Sequence, residues 1–597
     1  MKIVRVEDFL GELKLVALRA LLPDRQTYNL MLLQPDGPIE GSEQRIGHYD
    51  QARGEALCRA FLKQAVVDAA DLAVTPEYCL PWALVEEIAQ EQSALRPAQG
   101  AIWILGCESI SPTNLLNAAA RLKATGHFVH HEEIDDARAK HKSYVDPLLY
   151  VFWCERPDGN PVLGFVIQLK TEPCRDKLDV EQRCLYVGEL VYTLNREINR
   201  IGLISIICSD AFKFDDDLVA ACHKDMLIIH AQLNPKPAHA DYARYRKRLL
   251  SVATRRDVEL LCLNWAADVQ ERGSDGLVNG WENNAGSGFY VPPAKFAAQE
   301  ATVVANHWNG LYYGVVDRWH GLFLDQGPHA VLLQKQKVMM LEEPEAVRPT
   351  TCVTVLNRWT WQSTGTALVP TVKADAGFSH ALVPFKALPA QLTALCAQSP
   401  LFVERAMDMV CGVATKPREW YEIGHLSSMR CEEDETLRRI TIDQDADPAS
   451  RGKLFRRAVL QRAHDAASLP GNGAPWPRTL SDLEAGFCFQ WSPGAPFHNV
   501  IAGSTHQTAG LVFLGDQADE GLVSKVHDIY VDGTRAKARE RARAAGSNAD
   551  DAEARSCDRL CVVYRQDHQL RVWGVDKLSQ IDRAPGKSPF DIGAEST

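Results

Sequence analysis

The apolar positions in the first 330 or so residues follow two rhythms. Short continuous apolar runs, of the kind that buried strands show, occur at 28–35 (YNLMLLQP), 71–78 (DLAVTPEY), 101–109 (AIWILGCES), 201–207, 225–232 (DMLIIHAQ) and 258–266 (VELLCLNWA). Between them the apolar residues recur every three or four positions, which predicts helices over 49–70, 83–95 and 240–257. Residues 148–170 read as two strands around a PDGN turn. Such alternation predicts a layered α/β domain.

After about residue 345 the texture changes. The segment 389–414 is helix-like, 431–435 (CEEDE) is an acid run, and 469–479 (LPGNGAPWPRT) predicts a linker or long loop. The expected organisation is an α/β domain over 1–345 followed by a separate α+β domain over 346–597. In TRAKARERARAAG (534–546) the charges at 535, 537, 539, 541 and 543 spread around a helical cylinder instead of forming a stripe. That pattern suits a solvated helix or loop better than a nucleic-acid patch.

Composition narrows the setting. A chain of 597 residues exceeds one core at roughly 100 to 200 residues per domain. The formal net charge of -12 offers no global attraction to nucleic acid or to anionic membrane. No run of about 18 apolar residues could span a bilayer. Acids and Lys14 interrupt the N-terminal apolar residues, unlike a signal peptide. Sixteen cysteines without a short-range framework then predict reduced thiols in a cytoplasm. Cys557 and Cys561 lack a second ligand pair, and HFVHHEE (127–133) runs into mixed charge, so the first reads as core thiols and the second as a solvated, mobile insertion.

Three reactive side chains stand at strand ends. Glu77 follows the run 71–75, Lys170 ends the 148–170 hairpin, and Cys208 ends the run 201–207. In layered α/β folds ligands collect beyond the carboxyl ends of strands. A lone buried cysteine is ordinarily an inert small hydrophobe. With an acid and an ammonium at matching positions it acquires a base to make the thiolate and a fixed cation for an oxyanion. Lys142 is a rival for the lysine, and Lys170 is preferred because it ends a strand behind the turn. Trp82 and Trp281 are candidates for pocket walls, with core packing the plainer reading.

The order VTPEYCLPW, LLNAAARL, GNPVLGFVIQLK and RIGLISIICSD resembles the carbon–nitrogen hydrolase (nitrilase) superfamily over residues 28 to 335. The resemblance implies a four-layer αββα nitrilase-like sandwich and a Glu-Lys-Cys triad of Glu77 as general base, Lys170, and Cys208 as nucleophile. EQRCLYVG resembles the family's segment with a further active-site glutamate, which implies Glu181, with Glu172 the alternative. The Ser209 backbone N–H would join Lys170 at the oxyanion. The implied activity is cleavage of a small-molecule amide or nitrile through an acyl-enzyme, with no metal or organic cofactor. Acyl transfer to an amine, and a nitrilase-fold scaffold that binds a protein partner through its carboxyl-terminal domain, are the alternatives. Nitrilase-like domains also occur in bacterial anti-phage defence proteins, although this chain lacks the Tyr-x-Asp-Asp signature of the reverse transcriptases fused to some of them. The family's dimers imply an even-numbered homo-oligomer paired through helices 211–223 and 240–257.

Overall fold

The computed structural model describes the chain apart from residues 23–26, 175–179, 195–200, 215–224, 238–239, 254–257, 268, 274–275, 277, 281–285, 293–298, 317–318, 338–351, 365, 372–376, 384–389, 414–420, 422–439, 442–450, 475, 549–558 and 574–597. Two compact units emerge, the first formed chiefly by Met1–Ala374 and the second chiefly by Asp375–Arg430 and Glu435–Thr597. The division falls later than 345 because Val353–Gln362 and Ala367–Pro370 extend a sheet of the first unit, the former pairing with His329–Gln336.

The larger sheet of the first unit runs in the order Ala367–Pro370, Val353–Gln362, His329–Gln336, Thr27–Gln34, Leu72–Leu80, Ile102–Cys107, Pro147–Glu155, Pro161–Leu169 and Phe128–His131. Its central strands are buried on both faces, which is why they read as unbroken apolar runs. One face, with Met31, Leu33, Ala73, Trp103 and Val151, packs under Leu57, Phe61 and Leu62 of the helix Gln51–Val67 and under Leu115 and Leu122 of Pro112–Ala124. Both helices start at side-chain caps, Asp50 accepting from Arg53 N and Ser111 from Asn114 N, so their first turns are pinned.

The opposite face meets a second sheet, ordered Lys2–Arg5, Leu190–Leu194, Gly202–Ile207, Met226–Ala231, Val258–Leu263, Gly288–Val291, Trp319–Leu324 and Leu311–Val316. Gln168 joins the two sheets: its amide donates to Ser205 O at 2.9 Å and its carbonyl accepts from Tyr192 N at 3.0 Å. A buried amide bonded at both ends fixes the register of one sheet on the other. In the helix Ala240–Ala253, Tyr242 and Tyr245 are buried within the chain, and Tyr245 packs edge-on against His230 of the second sheet at 5.5 Å. The aromatic side of this helix is therefore filled from within. The segment 211–223 lies mostly outside the described residues.

The His/Glu segment is ordered, against the expectation of a solvated insertion. Phe128–His131 pairs in parallel with Pro161–Leu169, His130 stacks on Phe9 at 4.0 Å, and Glu132 accepts from Glu189 N at 2.8 Å.

The second unit has a five-stranded sheet, Phe487–Phe489, Val500–Ala502, Thr508–Phe513, Leu560–Gln566 and Gln569–Trp573. Its core joins Leu511, Phe513 and Val562 to Val403 and Met407 of the helix Pro400–Val410, Leu460 of Arg451–Ala467, and Val523 and Tyr530 of Glu520–Ala544. The segment expected as one helix over 389–414 is broken before Pro400, because the residue preceding a proline is steered out of helical geometry. The stretch expected as a linker lies inside this unit, with Leu469, Ala474 and Trp476 buried in its core. The basic segment is the end of the helix Glu520–Ala544. Cys561 is buried in the same core and Cys557 lies outside the described residues.

Candidate active site

Glu77 sits where its strand leaves the ladder. Pairing with Ile102–Cys107 is regular to Thr75 and resumes at Leu80, and Tyr78 takes a left-handed φ of 55°. The displaced backbone passes over Gly106, where a Cβ would lie 2.1 Å from Pro76 O, so this bulge requires glycine. Trp265 Nε1 donates to Glu77 O at 2.8 Å and Leu233 N donates to its carboxylate at 2.5 Å, so both backbone and side chain are held.

Lys170 follows the last residue of Pro161–Leu169. The hairpin register sets Leu169 opposite Pro147, and the next step brings Lys170 N to Asp146 O at 2.9 Å. The side chain is 1% exposed, and its ammonium donates to Glu77 Oε1 at 2.6 Å and to both Glu181 oxygens at 2.8 Å, with Asp146 Oδ2 at 3.6 Å. Glu181, on the short helix Val180–Cys184, also accepts from Tyr78 Oη at 2.9 Å and from Cys174 N.

Cys208 ends Gly202–Ile207 with φ of 36°, a conformation that costs a non-glycine residue energy and is kept only where its surroundings impose it. His230 Nε2 donates to Cys208 O at 2.8 Å, and Asp210 ties this turn to the lysine segment. Asp210 Oδ1 accepts from Thr171 N at 2.7 Å and Glu172 N at 2.9 Å, while its Oδ2 accepts from Ile207 N at 3.1 Å. The Ser209 hydroxyl donates to Glu172 O at 2.6 Å, a second tie between the same segments. Tyr242 Oη lies 3.3 Å from Cys208 Sγ.

The rivals stand elsewhere. Lys142 is half-buried and donates to Gln182 O at 3.1 Å and Arg183 O at 2.9 Å. Glu172 pairs with Lys213 at 2.9 Å. Trp82 donates from Nε1 to Glu108 O at 2.9 Å, and Trp281 lies outside the described residues.

Three carboxyl groups, Glu77, Asp146 and Glu181, have oxygens within 4.8 Å of one another around a single ammonium. Burial pushes the Glu77 carboxyl above its ordinary range; Lys170 pulls it back and Glu181 pushes it further up. Burial and then the charge of Glu77 raise Asp146 well above the ordinary aspartate range. Burial works against the charge of Lys170, but Glu181 and Glu77 outweigh it and keep the ammonium protonated. The Cys208 thiol is raised by its hydrogen bond to the Cys174 thiol, by burial and by Glu77, with Lys170 opposing. A thiol held neutral in this way needs a base before it can act as a nucleophile, and a carboxylate of raised basicity stands in the same cluster.

Asp146, Tyr242 and Cys174 were not among the site residues expected from sequence. The signal for Asp146 was present: counting back from the PDGN turn, it is the residue opposite Lys170. Tyr242 and Cys174 approach the thiol from segments that no local pattern relates to it.

No family model matches the chain, and no curated protein matches it. Among solved structures it is similar to an amidase from Nesterenkonia sp., at 12% identity and a TM-score of 0.26, over 45% of this chain and 84% of that one. A mutant of the same amidase, described as from the nitrilase superfamily, aligns at 14% identity and a TM-score of 0.26, over 46% and 86% of the two chains. Another, showing covalent addition of the acetamide moiety of fluoroacetamide at the active-site cysteine, aligns at 13% and 0.26 over 46% and 85%. Among the described residues no helix is long and apolar enough to cross a membrane.

Proposed function

We propose that the first unit is a four-layer, nitrilase-like carbon–nitrogen hydrolase that cleaves a small amide through a covalent thioester on Cys208. The observation that carries this reading is a buried ammonium, Lys170, shared between Glu77 and Glu181 beside a thiol on a left-handed turn at a strand end. Ion pairs this deeply buried are expensive to assemble, and stability alone gives little reason to keep one with an excess of acid.

In this mechanism Glu77 takes the Cys208 proton and the thiolate attacks the amide carbon. The oxyanion is stabilised by the Lys170 ammonium and the Ser209 backbone N–H. As the C–N bond breaks, Glu77 returns the proton to the leaving amine. Water, deprotonated by Glu77, then adds to the thioester; the C–S bond breaks, the acid leaves, and the proton passes back to sulfur. Glu181 holds the ammonium with both oxygens and keeps it protonated throughout. The net reaction is amide plus water to acid plus amine, and the cycle restores the resting thiol.

Intact-protein mass spectrometry after incubation with a panel of small amides tests the reading. An acyl adduct on the wild type that is absent from Cys208→Ala is the expected result. A folded wild type that traps no adduct and releases no ammonia or amine from the panel points instead to a scaffold role.

A further inference from the structure

A second cluster of reactive side chains lies in the first unit outside the residues used above. His48, at the end of the strand Ile46–His48, Cys58 of the helix Gln51–Val67, and Cys79 of the strand Leu72–Leu80 are all buried. One donor atom from each lies within 4.8 Å of the other two. The Cys58 and Cys79 sulfurs are 3.8 Å apart. That is far too long for a disulfide, whose S–S bond is about 2.05 Å. It matches the sulfur–sulfur edge of a tetrahedral zinc site, about 3.8 Å for Zn–S bonds of about 2.3 Å.

A second observation points the same way. His48 is buried and its side chain is hydrogen-bonded to the Cys58 thiol, so the imidazole and the sulfur already face each other. The ring is held in place: it packs on Trp265 with centroids 4.8 Å apart, and it occupies space that a Cβ on Gly54 would invade, at 2.4 Å from the His48 Cγ. The donors are two soft sulfurs and an imidazole with no oxygen among them, which selects zinc or a similar soft divalent ion over magnesium or calcium. Two thiolates also neutralise a divalent charge, so the filled site carries no net charge into the core.

We propose that His48, Cys58 and Cys79 bind a structural zinc ion. The ion would clamp three elements at the strand that carries Glu77, two residues before Cys79. The proposal does not depend on the hydrolase reading, because the metal takes no part in that chemistry.

The test uses the full chain, produced with zinc in the medium, kept reduced, desalted and analysed for metal by plasma mass spectrometry. About one zinc per chain is expected. It should fall to background in Cys58→Ser and Cys79→Ser and remain in Cys561→Ser, a buried cysteine of the second unit. If the first two variants do not fold, cobalt replacement in the wild type gives the answer, since thiolate-to-cobalt charge-transfer bands with intense tetrahedral d–d absorption are required. Wild type that binds neither zinc nor cobalt in this way overturns the proposal. So does zinc retained in a folded Cys58→Ser protein, or a Cys58–Cys79 disulfide found by peptide mapping of metal-free wild type.

Discussion

Two of the buried lysines of the first unit, Lys170 and Lys335, differ in what surrounds them. Lys335, on His329–Gln336, meets one carboxylate, Glu259, at 2.6 Å, with both side chains at 2% exposure or less. Burial opposes its charge, and Cys352 and Glu259 restore it. Lys170 is as deeply buried but faces Glu77, Glu181 and Asp146 together. The first arrangement sets one ammonium against one carboxylate between strands of the two sheets. The second has more acids than bases, so its protons are contested, and it sits where strands end and the backbone is irregular. An even pair is sufficient to join two sheets. An uneven cluster holds carboxyl groups of raised basicity next to a fixed cation, which is the equipment for moving a proton and stabilising an anion.

Substitution should separate the two lysines. The largest effect is expected for Lys170→Met, which removes the oxyanion's cation and should lower kcat by roughly 10^3-fold, measured by amide turnover. Its fold should survive near neutral pH, since Glu77 and Asp146, already raised, can take up protons instead of remaining charged and unpaired. Lys335→Met should do the reverse. The buried Glu259 carboxylate loses the Lys335 ammonium, so urea unfolding should show a loss of about 3–5 kcal/mol while kcat per folded molecule stays near wild type. Adding Glu259→Leu to Lys335→Met should recover most of that loss, because an apolar pair of similar volume can replace a buried ion pair. If instead Lys335→Met abolishes turnover in folded protein, the contrast between the two lysines fails.

The smallest of these effects concerns pH. Glu77 acts as a base only when ionised, and its pKa is raised, so kcat/KM should climb with pH along an acid limb displaced above the ordinary glutamate range. Glu181→Gln removes a charge that resists ionisation of Glu77 and leaves Lys170 more fully to it. Both changes lower the Glu77 pKa, so the limb should move to lower pH. A limb that stays in place, or moves up, would mean that Glu77 is not the titrating base.

Much of the first unit was legible along the chain. Buried strands of a two-sheet fold are apolar on both faces, so 28–35, 71–78, 101–109 and 225–232 were visible as runs, and the PDGN turn set the hairpin register that carries Lys170. Helix ends were read less well: 83–95 shortens to Trp82–Ala89, since the apolar spacing continues past the point where the backbone turns. The second unit was harder, because its Pro/Gly stretch resembles a linker until burial of Trp476 shows it to be part of a core.

The sequence by itself determined which side chains stand at strand ends, because strand period and turn chemistry are local properties. Only the tertiary structure decided which of them meet. Glu77 and Lys170 belong to strands separated by two others in the sheet, and their 2.6 Å contact depends on the bulge at Pro76 and Glu77. Asp146, Tyr242 and the His48, Cys58 and Cys79 cluster are likewise assembled from segments that are close only after packing. Distances of a few ångströms between elements far apart in the chain are set by sheet order and by backbone departures from the ladder, and neither has a local signature.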